Sequence, residues 1–242
     1  MSTRLSMMEM MLYDEALSGA SPSKPTSLTA IQAVSTLGTN LVGAWLFTEG
    51  SGTNVADATG TLGTATLTAP TWSTVLPGPG TVVTFNGTTS KLQFPSFSPS
   101  IVTAVTTEAT ILYILKATGS NNGLDNIGNG DNCHYPYSDG TLYIDTFRNS
   151  RANAVVNAFD KTAWHHFAVR TKFEANGYRL LQNGVMFDQR LGEAVIRNAF
   201  DPPKFGVAVD GVTFFTGSLA TILLWNRGLT DAELLDAYNA WH

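Results

Sequence analysis

Short runs of β-branched and aromatic residues, separated by turn residues, make up the chain from residue 41 to residue 225. Dipeptides such as Asn-Gly and Asp-Gly accept the positive φ angles of a tight hairpin. They separate these runs at Asn86-Gly87, Asp139-Gly140, Asn176-Gly177 and Asn183-Gly184. Short strands with turns at this spacing are typical of a β-sandwich or barrel. The pattern therefore predicts an all-β domain over residues 41–242, built as a sandwich or a barrel.

The turns also predict which strands pair. The run from Thr110 to Leu115 is more continuously apolar than the others, which favours a central strand buried on both faces. The expected antiparallel pairings are 82–85 with 91–94, 133–137 with 141–147, and 164–173 with 178–182. After residue 182 the chain is expected to turn back through a further strand at 185–190.

A helix is predicted to close the chain. Thr230 can act as its N-cap, and Glu233 stands at the capping-box position three residues on. Leu234, Tyr238 and Trp241 then form an apolar stripe at helical spacing. We expect this helix to pack against the sandwich.

The first 40 residues differ from the rest. Five of the six methionines lie at positions 1, 7, 8, 10 and 11. Leu5, Met8, Leu12 and Ala16 fall at helical spacing, and Met7 and Met11 widen this apolar stripe. Flexible methionine side chains suit docking into a partner's groove, although packing on the chain's own sandwich is an alternative. We interpret residues 1–19 as a helical anchor segment, and residues 20–40, rich in Ser, Thr and Pro, as an extended linker or arm. The docking residues would be Leu5, Met7, Met8, Met11 and Leu12.

This division makes the arm separable from the fold. Removal of residues 1–40 is expected to leave a folded sandwich that no longer joins its assembly.

Composition narrows the function classes. The chain of 242 residues is 43% hydrophobic and 14% charged, with a formal net charge of -5. Its Lys and Arg residues are scattered, so nucleic acid is not expected as a partner. No window reaches the ~18 apolar residues of a membrane span, and Glu9 interrupts the early apolar stretch, so neither a membrane segment nor a signal peptide is predicted. The single cysteine, Cys133, excludes an intramolecular disulfide.

Several segments, in order along the chain, resemble the laminin-G-like, concanavalin A-like lectin-glucanase domains. Residues 41–53 (LVGAWLFTEGSGT) are similar to the family's first strand and turn, and residues 164–169 (WHHFAV) to its Trp-His-His strand. The other similar segments are 56–60, 83–87, 92–94, 181–184 and 215–230. The resemblance implies a two-sheet antiparallel jelly roll. It implies no single function, because lectins, adhesion modules, enzymes and structural proteins share this fold.

The chain is not predicted to be an enzyme. Retaining glycoside hydrolases need two carboxyl groups about 5–5.5 Å apart. The only carboxylates two residues apart are Asp231 and Glu233, in the predicted helix rather than on a strand. His165 and His166 are strand neighbours that point to opposite faces, and the same alternation separates Cys133 from its neighbour His134. We therefore expect structural roles for these residues, with glycoside hydrolysis as the less favoured alternative.

One polar segment carries the candidate ligand-binding residues. Amide and carboxylate groups can bind sugar hydroxyls, and an aromatic face can cover the sugar ring. These residue types occur at Asn121, Asn122, Asp125, Asn129, Asp131, Tyr135 and Tyr137. The same oxygens could coordinate calcium, but the segment lacks Asp-x-Asp-x-Asp spacing, so no metal or other cofactor is predicted. The alternative is a polar loop between strands, with two core tyrosines.

The N-terminal anchor, the arm and the lectin-like sandwich together resemble the plan of a virion surface protein. We interpret the chain as a non-catalytic bacteriophage structural protein, of the capsid decoration or head or tail fibre type, that displays its sandwich to host-surface glycans. Its partners would be other virion proteins or further copies of itself, held through residues 1–40 in a homo-oligomer. The alternative is a carbohydrate-binding module of a bacterial extracellular system.

Overall fold

The computed structural model describes residues 23–97, 108–120, 122–127, 133–147, 155–156, 160–172, 178–190 and 202–242. The predicted anchor helix of residues 1–19 lies outside them. The elements are α1 (Leu28–Gln32), β1 (Leu41–Trp45), β2 (Asn54–Val55), β3 (Ala65–Thr68), β4 (Thr71–Val75), β5 (Gly80–Asn86), β6 (Lys91–Gln93), β7 (Glu108–Ala117), β8 (Thr141–Leu142), β9 (Val155–Val156), β10 (His165–Lys172), β11 (Tyr178–Gln182), β12 (Val185–Arg190), β13 (Lys204–Phe205), β14 (Thr216–Trp225) and α2 (Asp231–Ala240). Neither described helix combines the length and apolar character needed to cross a bilayer.

An eight-stranded sheet forms one layer, in the order β12-β11-β10-β7-β14-β5-β4, with β1 also paired to β14. β7 lies between β10 and β14, antiparallel to both. Every residue from Thr110 to Leu115 is buried, as predicted for a central strand. Ile111 and Tyr113 join the core between the sheets, whereas Leu112 and Ile114 join a second apolar cluster on the opposite face.

A four-stranded sheet, in the order β13-β6-β3-β2, forms the second layer. Along β3, Ala65 and Leu67 are buried while the two threonines are exposed, because only one face of this sheet packs on the core. The core between the layers is strongly aromatic and includes Trp45, Phe85 and Phe167. The predicted two-sheet antiparallel sandwich is therefore confirmed. β8 and β9 form a separate two-stranded sheet.

Residues 23–40 belong to the sandwich, which corrects the prediction of an extended arm over residues 20–40. Ser27 caps α1, its side chain accepting a hydrogen bond from the Ala30 backbone N–H at 3.2 Å. Ile31 and Leu37 are fully buried in the second cluster, on the outer face of the large sheet, together with Trp241. The high Ser, Thr and Pro content of this segment favours an extended arm in the sequence, but the segment contains one short capped helix with apolar contacts.

The predicted pairing of 82–85 with 91–94 is wrong. β5 pairs with β4 and β14 in the large sheet, whereas β6 pairs with β3 and β13 in the small one. Asn86 explains the difference, because its Oδ1 accepts the backbone N–H groups of Thr88, Thr89 and Ser90 at 2.9, 2.9 and 3.0 Å. This side chain organises a longer turn that carries the chain from one layer to the other.

The later pairings agree with the sequence. β10 pairs with β11, and β11 with β12. At the β11–β12 turn, Asn183 and Gly184 both have positive φ angles, 51° and 75°. The segments 133–137 and 141–147 are joined by backbone hydrogen bonds in both directions between His134 and Tyr143.

The predicted capping box of the last helix is confirmed. The Thr230 side chain accepts from the Glu233 backbone N–H at 3.1 Å, and Glu233 Oε2 accepts from the Thr230 backbone N–H at 2.8 Å. The predicted apolar stripe of α2, Leu234, Tyr238 and Trp241, is buried. This helix therefore closes the outer face of the large sheet, beside α1.

Candidate functional site

Of the predicted ligand residues that the structure describes, three are buried and one is exposed. Asn121, Asn129 and Asp131 lie outside the described residues. Asn122, Asp125 and Tyr135 are buried, and only Tyr137, which is 37% exposed, can touch a ligand directly.

Asn122 joins two parts of the fold. Its Nδ2 donates to the carbonyl oxygens of Gly119 and Tyr135 at 2.8 and 3.1 Å. Its Oδ1 accepts from the backbone N–H of Thr216, the first residue of β14, at 2.9 Å. With its amide bonded on both sides, Asn122 fixes the segment that precedes Tyr137.

Asp125 is enclosed by hydrogen-bond donors. Its Oδ2 accepts from Tyr113 Oη at 2.8 Å and from Thr146 Oγ1 at 2.9 Å, and its Oδ1 accepts from the Ile127 backbone N–H at 3.1 Å. Burial raises the pKa of this carboxyl above its usual value, although the hydrogen bonds act in the opposite direction. Asp125 thus supports the interior of the fold.

Tyr135 and Cys133 are also interior residues. The Tyr135 ring centroid lies 4.8 Å from that of Phe167 in the core, and burial raises the pKa of its phenol well above the ordinary value. Burial likewise raises the pKa of the Cys133 thiol, whose Sγ accepts from the Asp145 backbone N–H at 2.9 Å. Cys133 has the buried position that the sequence predicts for it.

An aromatic cluster reaches the surface at Tyr137. The Tyr137 ring centroid lies 4.7 Å from that of His134 and 5.4 Å from that of Tyr143, and both contacts are edge-on. His134 is buried beneath the two tyrosines, on a segment that bridges to Gly123 on one side and to Tyr143 on the other. We call Tyr137, Tyr143, His134 and the adjacent Asp139 the Tyr137 surface.

A tight turn places the carboxylate of this surface. The Gly140 backbone N–H donates to the Tyr137 carbonyl at 3.0 Å, and Gly140 has a φ angle of 82°. The Asp139 Oδ1 accepts from the Thr141 backbone N–H at 2.8 Å, and this bond holds the pKa of the carboxyl below its usual value. Tyr143 Oη lies 3.4 Å from Asp139 Oδ2. An ionised, exposed carboxylate therefore stands beside two tyrosine rings.

A second turn, residues 208–213, lies next to the Tyr137 surface. A Cβ atom on Gly123, the bridge partner of His134, would overlap the Thr213 carbonyl oxygen and the Ala208 nitrogen, so the two segments are in close contact. Burial opposes ionisation of Asp210 in this turn, but hydrogen bonds from Thr213 and Val212 and the nearby His134 hold its pKa below the usual value. Val212, also in this turn, is 76% exposed.

The two strand histidines lie on opposite faces, as predicted. His165 Nε2 is 2.6 Å from the Asp160 carbonyl oxygen, and its Nδ1 is 2.8 Å from Gln182 Nε2. His166 lies on the helix-covered face, with its ring centroid 5.3 Å from that of Tyr238, and burial lowers its pKa to about 3.

The carboxylates two residues apart form ion pairs with arginines. Asp231 lies 3.2 Å from Arg170 Nη1 and 2.5 Å from Arg179 Nη1, and Glu233 lies 2.8 Å from Arg227 Nη2. Within the described part of the chain, no three His, Cys, Asp or Glu side chains are grouped so that they could hold a metal ion.

Comparison with protein families identifies the superfamily. The protein-family model described as "Concanavalin A-like lectin/glucanases superfamily" matches residues 86–235, which is more than half of the chain. The chain belongs to this superfamily. The match includes the Tyr137 surface and the first half of α2. The comparison with curated proteins gives no match.

Solved structures of this superfamily's fold are similar at low sequence identity. The binding domain of botulinum neurotoxin DC, in complex with rat synaptotagmin II, matches with a TM-score of 0.61 and 11% identity, over 84% of this chain and 52% of the toxin chain. Trypanosoma rangeli sialidase in complex with sialic acid matches with a TM-score of 0.62 and 14% identity, over 96% of this chain and 38% of the sialidase. The protein thus spans about half of the first of these chains and less of the second.

A third similar structure is matched over nearly its whole length. Domain 4 of a GH43 extracellular arabinanase from Geobacillus stearothermophilus, in complex with arabinotriose, matches with a TM-score of 0.55 and 13% identity, over 82% of this chain and 98% of that domain. At these identities, the three similarities establish the fold alone.

Proposed function

We propose that the protein is a non-catalytic glycan-binding module, displayed on a larger particle through its N-terminus. The observation that carries the binding function is the Tyr137 surface, where the exposed ring of Tyr137 and the half-buried ring of Tyr143 adjoin an ionised carboxylate. Sugar rings present C–H groups that pack on aromatic faces, and their hydroxyls donate to carboxylate oxygens. The similarity to an arabinanase domain in complex with arabinotriose supports this ligand class.

Three described carboxylates that the sequence singles out support a non-catalytic role. Asp125 is buried and accepts hydrogen bonds from three donors. Asp231 and Glu233 form ion pairs with arginines. General acid and nucleophile roles need carboxyl groups that reach the substrate. Asp139 reaches solvent, and its lowered pKa suits a hydrogen-bond acceptor better than a proton donor.

Changing Tyr137 to alanine is expected to weaken glycan binding about tenfold or more, because the aromatic contact with the ring is lost. Isolated protein is screened on a glycan array that includes arabinotriose and sialylated glycans, and the strongest ligand is then titrated by calorimetry. Tyr137→Phe should retain most of the affinity. Leu76→Ala is the matched control, since Leu76 is 79% exposed on the β4–β5 turn.

Two results would reject this function. One is an array without binding, or binding that Tyr137→Ala leaves unchanged. The other is cleavage of the bound glycan during the titration, detected by chromatography, which would support the glycoside hydrolase alternative.

The proposed attachment is through residues 1–22, because residues 23–40 are part of the fold. Deleting residues 1–22 is expected to leave the melting temperature within about 2 °C of the full chain, since the two described apolar clusters are built from residues 31–241. The same deletion should convert the oligomer to a monomer in light scattering. Deleting residues 1–40 should instead destabilise the protein strongly, because Ile31 and Leu37 are core residues.

The preferred setting for this attachment is a virion surface, and a bacterial extracellular system is the alternative. If the protein keeps the same number of subunits after deletion of residues 1–22, both forms of N-terminal attachment would be contradicted. Capsid and portal genes beside its gene, or the protein in purified particles by mass spectrometry, would favour the virion.

A further inference from the structure

β14 changes its neighbour part-way along the sheet. Ser218 and Leu219 pair with β5, whereas the residues from Ile222 onward pair with β1. Ala220 lies between these stretches, at an irregularity where the register of β14 against β7 shifts between Leu219 and Thr221. Backbone carbonyl groups at such an interruption lack the partners that a continuous ladder provides.

The side chain of Lys24 fills this interruption. Its Nζ lies 2.6 Å from the carbonyl oxygen of Leu46, 2.9 Å from that of Phe47, 2.5 Å from that of Thr81 and 3.1 Å from that of Ala220. These carbonyls come from the residues after β1, from β5 and from β14. Lys24 itself is only 7% exposed.

The backbone around the ammonium group is shaped to receive it. Phe47 has a φ angle of 51°, which is uncommon for a residue with a Cβ atom and directs its carbonyl group out of the normal strand geometry. Burial lowers the pKa of Lys24 to about 8, while the nearby Glu49 acts to raise it. At neutral pH the group remains mainly protonated, so that three N–H donors meet four acceptors.

We propose that the carbonyl oxygens of Leu46, Phe47, Thr81 and Ala220 form a binding site for a primary ammonium ion. Lys24 occupies this site and thereby ties the segment before α1 to the residues after β1, to β5 and to β14. The site takes a compact cation that donates several hydrogen bonds, and it excludes a quaternary ammonium ion, which has no N–H group. This assignment is independent of the glycan-binding surface.

Chemical rescue tests the site directly. Lys24→Ala should lower the melting temperature by about 5 °C, because three buried carbonyls and one partly buried carbonyl lose their donor. Ethylammonium chloride should restore at least half of that loss, whereas tetramethylammonium chloride at the same ionic strength should restore none. Lys91→Ala, which removes a partly exposed lysine of β6, should change the melting temperature by about 1 °C or less and show no rescue.

Three outcomes would overturn the proposal: equal rescue by both ammonium salts, rescue by potassium as effective as that by ethylammonium, or wild-type stability of Lys24→Met. If Lys24→Ala does not fold, the wild-type protein supplies the test through nitrogen-15 NMR of its lysine ammonium groups. A slowly exchanging Lys24 signal at neutral pH is expected. Exchange as fast as that of the exposed lysines would contradict the site.

Discussion

Asp125→Ala is expected to lower the free energy of unfolding by about 3–5 kcal/mol at neutral pH, measured by urea denaturation. The change removes a buried acceptor and leaves Tyr113 Oη, Thr146 Oγ1 and the Ile127 backbone N–H without it. Each buried donor that loses its partner costs free energy, and the missing carboxyl group leaves a cavity. Asp125→Asn should cost less, because one amide oxygen still accepts.

The exposed Asp139 is the control that separates a structural from a ligand-binding carboxylate. Asp139→Ala should reduce glycan affinity and change the free energy of unfolding by about 1 kcal/mol or less. Asp125→Ala should do the reverse at temperatures where it is folded. A stable Asp125→Ala protein that has lost glycan binding would restore Asp125 to the ligand site predicted from the sequence.

Glu233→Ala is expected to cost about 2–4 kcal/mol, since Glu233 joins three parts of the fold. It pairs with Arg227 Nη2 at 2.8 Å, accepts from the Thr36 hydroxyl, and completes the capping box with Thr230. Removing the Glu233 carboxylate should also weaken the attachment of the C-terminal helix to the segment after α1, because its bond with Thr36 is lost. Amide hydrogen exchange of α2 measures that release separately from global unfolding.

Glu233 should also make the stability of the protein depend on pH. Burial opposes ionisation of Glu233, but its hydrogen bonds with Arg227, Thr36 and Thr230 lower its pKa from 4.5 to about 2. A carboxyl whose folded pKa lies below its unfolded pKa stabilises the fold above the unfolded value and loses that contribution as pH falls towards the folded value. The wild-type protein should therefore lose stability between about pH 4.5 and 2 relative to Glu233→Ala.

Asp236→Asn is the matched control for the acid experiment, because Asp236 is exposed on the same helix. This variant should retain the wild-type slope of stability against pH. The slope due to His166 is present in all three proteins, so the difference between wild type and Glu233→Ala isolates Glu233. Parallel curves for these two proteins would show that Glu233 makes no ionic contribution.

The sandwich could be predicted because its strands repeat simple local rules. The alternation at 164–169 places Phe167 in the central core and Ala168 in the outer cluster, and the Asn183-Gly184 turn joins the strands expected to pair. The same reasoning failed at Asn86-Gly87, where the Asn86 side chain bonds three backbone N–H groups. Dipeptide identity indicates a turn, but the side chain decides how long the turn is.

The candidate site was harder to predict, because polar residue types do not reveal burial. Asn122 and Asp125 look like ligand residues in the sequence, yet their partners are backbone groups and hydroxyls from distant segments. Tyr135 and Tyr137 would share a face on a regular strand, but this segment belongs to no strand. The sequence predicts only a turn at Asp139, because its place beside the tyrosine rings depends on the fold.

Lys24 shows a second limit of sequence reasoning. In the sequence it is a lone cation in a stretch of Ser, Thr and Pro, typical of a solvated arm. Its four acceptors are 22, 23, 57 and 196 residues away. No local pattern encodes such an arrangement, since it results from a change of strand partner within the completed sheet.

The pairing of β1 with β14 has a consequence for the order in which the protein folds during synthesis. Leu41 pairs with Trp225, so β1 lacks this partner until β14 has left the ribosome. Contacts between such distant residues also make folding slow relative to helical proteins of the same size. The residues of β1 that are buried in the finished fold are therefore exposed to other molecules until β14 has been synthesised.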